Sequence, residues 1–126
     1  MSIFSKIVSG EITAHKIYED TNHLAFLDIF PMSKGHVLVI PKKEIDYVFD
    51  MNDSEYKQLL LFAKKISLAI KKVINCKRVS LNIVGLDVPH VHIHLIPLNS
   101  ISDLNFKKQK LTFSEEEFNE IAALIR

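Results

Sequence analysis

The chain runs to 126 residues, of which 48% are apolar and 25% charged, with a formal net charge of +1 and a single cysteine, Cys76. That size and balance give one domain, residues 1–126, with a hydrophobic core of its own, and they exclude a disordered chain, an internal disulfide and a C-x-x-C metal knuckle. Near-neutral charge offers nucleic acid no footprint, no apolar run approaches the roughly 20 residues of a membrane span, the N-terminus lacks a secretory pattern, and a reducing cytoplasm is the expected setting.

Short β-rich runs come first, at 16–19, 23–28 and 36–41, punctuated by Gly10, Pro31 and Gly35. Tyr56, Leu59, Leu60, Ala63, Ile66, Ile70, Val73 and Ile74 then recur at three- and four-residue steps, which predicts a long helix with one apolar face. Asn52, three residues before Glu55, is its expected N-cap. Two more strands are predicted at 78–84 and 88–97, with Gly85 between them. A final helix is expected from Glu115, opened by a Ser114/Glu117 capping box with Phe113 and Phe118 as the flanking staple. One helix interrupts the strands and another follows them, so regular βαβ alternation is absent. The expected class is α+β, an antiparallel sheet with a long central helix and a C-terminal helix.

Chemistry concentrates in Pro89-His90-Val91-His92-Ile93-His94-Leu95. Side chains alternate across a strand that rises about 3.3 Å per residue, so the three histidines project from one face at intervals of roughly 6.6 Å. Val91, Ile93 and Leu95 face a core on the other side, and Asn82 shares the imidazole face if residues 78–84 form the neighbouring strand. The pattern admits three readings: solvated or core histidines, a zinc site, or imidazoles working as nucleophile and proton donors on a phosphate. Spacing does not separate the last two.

The run from His90 to Ile96 resembles the His-φ-His-φ-His-φ-φ signature of the histidine triad (HIT) family, where φ is apolar. Ile3-Phe4-Ser5-Lys6-Ile7-Val8 with Gly10-Glu11-Ile12, Tyr18-Glu19-Asp20, Leu24-Ala25-Phe26-Leu27-Asp28-Ile29 and Gly35-His36-Val37-Leu38-Val39-Ile40-Pro41-Lys42 follow in the family's order, so the resemblance covers about residues 3–98. It implies a HIT-like fold and a nucleotide hydrolase in which His92 attacks the α-phosphorus and is itself nucleotidylated. His94 would hydrogen-bond the phosphate or leaving group, while His90 and His36 hold the imidazoles in their working tautomers. Asp28 would take the ribose hydroxyls, and Phe4, Ile7, Ile12, Phe26, Leu27 and Ile29 would surround the base. Asn82 and the turn Gly85-Leu86-Asp87 would meet the phosphate.

The resemblance further implies a purine nucleotide substrate (AMP or GMP joined to a leaving group), a homodimer, and no partner in nucleic acid or membrane. A glutamine stands third in the triad of galactose-1-phosphate uridylyltransferase and its relatives; His94 stands there here, which favours hydrolysis over transfer. Some relatives hold structural zinc through an N-terminal Cys-x-x-Cys. Ser2 and Ser5 occupy those positions, and Glu44 replaces a histidine common in that region, so no metal is expected. Leu86 stands where many relatives place a phosphate-binding glutamine, and Asp87 beside it repels a phosphate unless it turns away or recruits a cation such as Mg²⁺. No other cofactor is implied. A nucleotide sensor with vestigial chemistry and a zinc-dependent hydrolase are the competing functions.

Overall fold

In the computed structural model, which describes residues 1–126, the elements run α1 (Ile3–Ser9), β1 (Lys16–Glu19), β2 (His23–Leu27), β3 (Val37–Pro41), α2 (Asp53–Val73), β4 (Arg78–Asn82), β5 (Ile93–Leu98) and α3 (Glu115–Ile125). The strands form one sheet in the order β1-β2-β3-β5-β4, each antiparallel to its neighbours. Sheet and helices make the α+β architecture expected from the sequence.

Each helix start is written locally. Asn52 accepts the amide of Glu55 while the Glu55 carboxylate accepts the amide of Asn52, and Ser114 and Glu117 repeat this reciprocal box at α3. Phe113 and Phe118 stack edge to face at 5.5 Å, the expected staple. Helix α1 escaped sequence reading because it is seven residues long and buries only Phe4 and Ile7. Ser2 caps it by accepting the amide of Ser5, and Gly10, at φ 85°, ends it in the left-handed region.

The register sorts the two faces of the sheet. Leu27, Val37 and Leu95 lie side by side and face α2 and α3, with Leu81 continuing the row to the exposed edge strand; Phe26, Leu38, His94 and Asn82 form the adjacent row on the other face. The first face carries the main core, with Leu59, Ala63 and Ile70 of α2 fully buried against Val39, Ile93 and Leu95. Truncating Leu59 or Ile70 to alanine costs about 2–5 kcal/mol. The second face carries a smaller cluster of Phe4, Ile7, Leu24, Phe26, Leu38 and Ile40, closed by α1. Because α1 is short, the rest of that face stays open as a cavity.

The strands end earlier than their composition suggests, and the ends matter. Pairing of β4 with β5 stops at Asn82 opposite His94, so residues 83–92 form an irregular connection rather than strand. Pro89 has no amide to give to a ladder, the amide of Val91 bonds to the carbonyl of Ile45, and that of His90 to Val88. Only His94 of the three triad histidines is therefore on a strand, which corrects the expectation of a row along one. The two-sided alternation persists regardless: Val91, Ile93 and Leu95 enter the main core. Likewise β2 and β3 stop one residue short of Asp28 and His36, joined at the mouth of the pair by the Asp28 amide to the His36 carbonyl. No helix is long and apolar enough to cross a membrane.

Candidate active site

Hydrogen bonds to obligate donors and acceptors fix the proton on each imidazole. His92 Nδ1 lies 2.8 Å from the His90 carbonyl, which only accepts, so Nδ1 carries the proton and neutral His92 has its lone pair on Nε2. That Nε2 has no protein partner, and no buried side-chain nitrogen in the structure lacks one, so it is open to solvent. His90 is fully buried, its Nε2–H donating to the Pro41 carbonyl at 2.8 Å and its Nδ1 accepting from the Ser2 hydroxyl at 2.7 Å. Burial holds the His90 pKa below the ordinary histidine value.

His36 and His94 make a second pair. The Met32 amide donates to His36 Nδ1 at 3.1 Å, so the proton of neutral His36 sits on Nε2, and Nε2 lies 3.0 Å from His94 Nδ1. One proton fits between those nitrogens; His94 Nδ1 must accept it, and His94 keeps its own proton on Nε2. Burial pushes both pKa values down to about 4, with Lys110 adding to the effect at His36, so both rings are neutral near pH 7. The approach of Asp28 Oδ2 to His36 Nε2 at 3.4 Å is thus a contact with a neutral ring rather than an ion pair. His92 and His94, with ring centres 5.1 Å apart, present opposite faces of imidazole chemistry: a bare nitrogen and an N–H.

Both rings border a cavity of about 280 Å³. Of the residues expected around a base and ribose, Phe4, Ile7, Ile12, Phe26, Leu27, Asp28 and Ile29 line it, and Asp87 borders it too. The Phe4 ring meets His92 edge on at 5.0 Å. Asp28 Oδ1 accepts the Phe30 amide at 2.8 Å, and Oδ2 remains on the His36 side.

Asn82, Gly85 and Leu86 do not join them. Asn82 is on the correct face but donates to Ser80 at 2.9 Å, and Leu86 is 87% exposed. Gly85 borders a separate groove of about 380 Å³ with Tyr47, Phe49, Tyr56 and the other side of the His92 segment. At Gly85 the backbone takes φ 71°, Leu86 stands in solvent, and Asp87 returns to the cavity wall.

Sequence reasoning missed Ile3, Thr13, Ala14, Phe30, Leu38 and Val88 on the cavity wall. Leu38 was legible from its alternation with Val37 and Val39; the others carried no signal. It also missed Phe106, whose ring meets His94 edge on at 5.2 Å. Phe106 arrives on the stretch after β5, tied down by the Leu111 amide to the Pro31 carbonyl and by Lys110 Nζ to the Phe106 carbonyl.

Residues 9–101 match the HIT domain family. The chain belongs to that family. This HIT domain protein is 37% identical to an uncharacterised HIT-like protein of Borreliella burgdorferi over 98% of its own length and 94% of the relative's. It is 42% identical to the adenosine 5′-monophosphoramidase of Schizosaccharomyces pombe, over 75% of this chain and 72% of that one. Its backbone resembles the crystal structure of a zinc-bound histidine triad protein from Mycobacterium smegmatis, at TM-score 0.82 and 29% identity, covering 98% of this chain and 91% of the other.

The zinc of such relatives raises the question of whether residues here suit a metal. Ser2, Ser5 and Glu44 do converge, around His90, but as a closed hydrogen-bonded set. Glu44 Oε1 accepts the Ser2 amide and, at 2.7 Å, the Ser5 hydroxyl, while both nitrogens of His90 are engaged. Without thiolates, and with the one imidazole committed, this set does not fit structural zinc. The donor atoms that do approach within 4.8 Å of one another belong to Asp28, His36 and His94, not to the three triad histidines. There the two nitrogens share a proton.

Proposed function

We propose that this HIT domain protein hydrolyses a nucleotide at its α-phosphorus through a covalent nucleotidyl adduct on Nε2 of His92. The observation that carries this reading is the pair of opposite tautomers on one cavity wall, the bare Nε2 of His92 beside the Nε2–H of His94. In the first step the Nε2 lone pair bonds to phosphorus, and the bond from phosphorus to the leaving atom breaks. The leaving atom departs with that electron pair and, where it is an amine, takes a proton from solvent. His94 Nε2–H hydrogen-bonds the departing atom or a phosphoryl oxygen, and the His90 carbonyl, bonded to Nδ1–H, offsets the positive charge that develops on the His92 ring. Water then attacks phosphorus, the P–N bond breaks and the water proton passes to solvent, which restores His92. One water is consumed, and one nucleoside monophosphate and one leaving group are released.

Asp28 Oδ2 takes the ribose hydroxyls in this reading, and the base lies among Phe4, Ile7, Ile12, Phe26, Leu27 and Ile29, with purines such as AMP or GMP preferred. Candidate substrates are nucleoside phosphoramidates, adenylylated amines or acids, and dinucleoside polyphosphates; the likeness to a yeast monophosphoramidase supports the first. The chain's own residues supply every step, so no cofactor is proposed beyond a Mg²⁺ ion screening Asp87. The proposed macromolecular partner is a second copy of the chain. Strand β4 lies at the sheet edge, with Leu81 45% exposed, and pairing of two such edges extends the sheet and protects it.

The test is an adduct trap. Wild type quenched without acid during turnover of an adenosine phosphoramidate should carry one adenylyl group by intact mass. His92→Ala should carry none, turn over no substrate and still bind AMP within about threefold, because binding is spread over many other contacts. Turnover by the folded His92→Ala variant overturns the assignment.

A further inference from the structure

We propose that Ser2 is a positioning residue for the nucleophile, acting through a hydrogen-bonded clasp of Ser2, Ser5, Glu44 and His90. The proposal rests on the reading of His92 as nucleophile and names what aims it. Ser2 is 88 residues from His90 in the chain, yet its hydroxyl lies 2.7 Å from His90 Nδ1, and both residues are buried. Because His90 Nε2–H is committed to the Pro41 carbonyl, Nδ1 can only accept in the neutral ring, and the Ser2 hydroxyl is its donor.

That ring is the anchor of the segment that matters. The backbone carbonyl of the same His90 accepts the Nδ1–H of His92, and so decides that the lone pair of His92 is on Nε2. If the His90 ring turns or gains a second proton, its carbonyl shifts and the tautomer of His92 is no longer enforced. Ser2 is itself held from outside: its amide and the Ser5 hydroxyl both donate to Glu44 Oε1. Those two bonds keep the Glu44 carboxyl ionised down to about pH 2. The clasp also begins α1, whose Phe4 touches both His92 and His90 edge on, at 5.0 and 5.9 Å. One set of bonds therefore holds the wall of the base cavity and the attacking ring in common register.

Ser2 is also the N-cap of α1, accepting the Ser5 amide at 3.0 Å, so its replacement must separate capping from donation. Ser2→Thr keeps cap and donor; Ser2→Asp keeps the cap but only accepts; Ser2→Ala loses both. A positioning role predicts kcat within twofold of wild type for Thr and about tenfold or more below it for Asp and Ala, with AMP affinity within about threefold of wild type for Thr and Asp, which keep the cap of α1. A capping role alone makes Asp behave like wild type, and that result overturns the proposal. A second readout needs no turnover. In imidazole ¹⁵N–¹H spectra of the ligand-free protein, the His92 Nδ1–H signal should be present in wild type and Ser2→Thr, and lost or exchanging in Ser2→Asp and Ser2→Ala. An unchanged His92 signal in all variants also overturns it. If the spectra change as expected while the adduct trap fails, the clasp stands and the hydrolytic reading falls.

Discussion

Nε2 of His36 lies 3.0 Å from Nδ1 of His94, although 58 residues separate them in the chain. This contact converts a histidine that the triad pattern treats as an accessory into the group that sets the tautomer of His94. The Met32 amide fixes His36, His36 fixes His94, and His94 presents an N–H to the cavity. Acid–base roles here follow from a relay of obligate hydrogen bonds, with burial keeping each ring neutral.

The same burial predicts how stability depends on pH. An unfolded histidine titrates near ~6.5, whereas His36 and His94 titrate at about 4 in the folded protein. Between those values the unfolded chain binds more protons. The stability contribution is therefore fully present above about pH 6.5, is lost as pH falls, and is exhausted near about pH 4. The pair together is worth on the order of a few kcal/mol. Urea denaturation should show stability falling between about pH 7 and 5, a window above the carboxylates, and His94→Asn should flatten the slope. Equal stability of wild type at both ends of that window contradicts this.

Asp87 and Leu86 are expected to part company. Asp87 borders the cavity and its charge reaches His94, while Leu86 projects into solvent. Asp87→Ser should raise kcat/KM about threefold to tenfold at low ionic strength and weaken any Mg²⁺ dependence, since it removes a carboxylate near the phosphate. Leu86→Gln should remain within twofold of wild type. A gain from Leu86→Gln as large as that from Asp87→Ser implies a turn that closes on the ligand.

Phe106 should prove to be an active-site residue from outside the triad motif. Its edge contact with His94 is worth about 0.5–1.5 kcal/mol. Phe106→Ala should cut kcat/KM by about threefold to tenfold while global stability falls by no more than about 1 kcal/mol, because the ring is 41% exposed. Phe106→Leu should recover less than half of the loss. Steady-state kinetics with a denaturation curve for each variant decides it.

The edge of the sheet supplies a test of assembly. Leu81→Asp places a charge on an exposed apolar position of β4, and it should shift the protein from dimer to monomer in light scattering at micromolar concentration. Helical content should be unchanged, as Leu81 lies outside the main core. A wild-type monomer under those conditions removes the dimer from the proposal.

What the sequence determined by itself was everything encoded at short range. The caps at Asn52 and Ser114 involve partners three residues away, and the apolar stripe of α2 and the alternation of Val91, Ile93 and Leu95 are patterns of a few consecutive residues. The family motif added the order of the site's parts, and seven of the expected base and ribose positions line one cavity. Tertiary structure alone decided the rest, because it depended on which distant group a side chain met. Strand β5 begins only at Ile93 because pairing with β3 ends at Val39 opposite Ile93 and pairing with β4 at Asn82 opposite His94, and Leu86 lies in solvent, off the cavity wall. The tautomer of His94, the Ser2 hydroxyl on His90 and the arrival of Phe106 at His94 rest on contacts that no local period specifies. A hydrogen-bond donor is chosen by geometry in space, and Ser2 and His90, 88 residues apart in the chain, meet only through the tertiary packing of α1 beside the residues before β5.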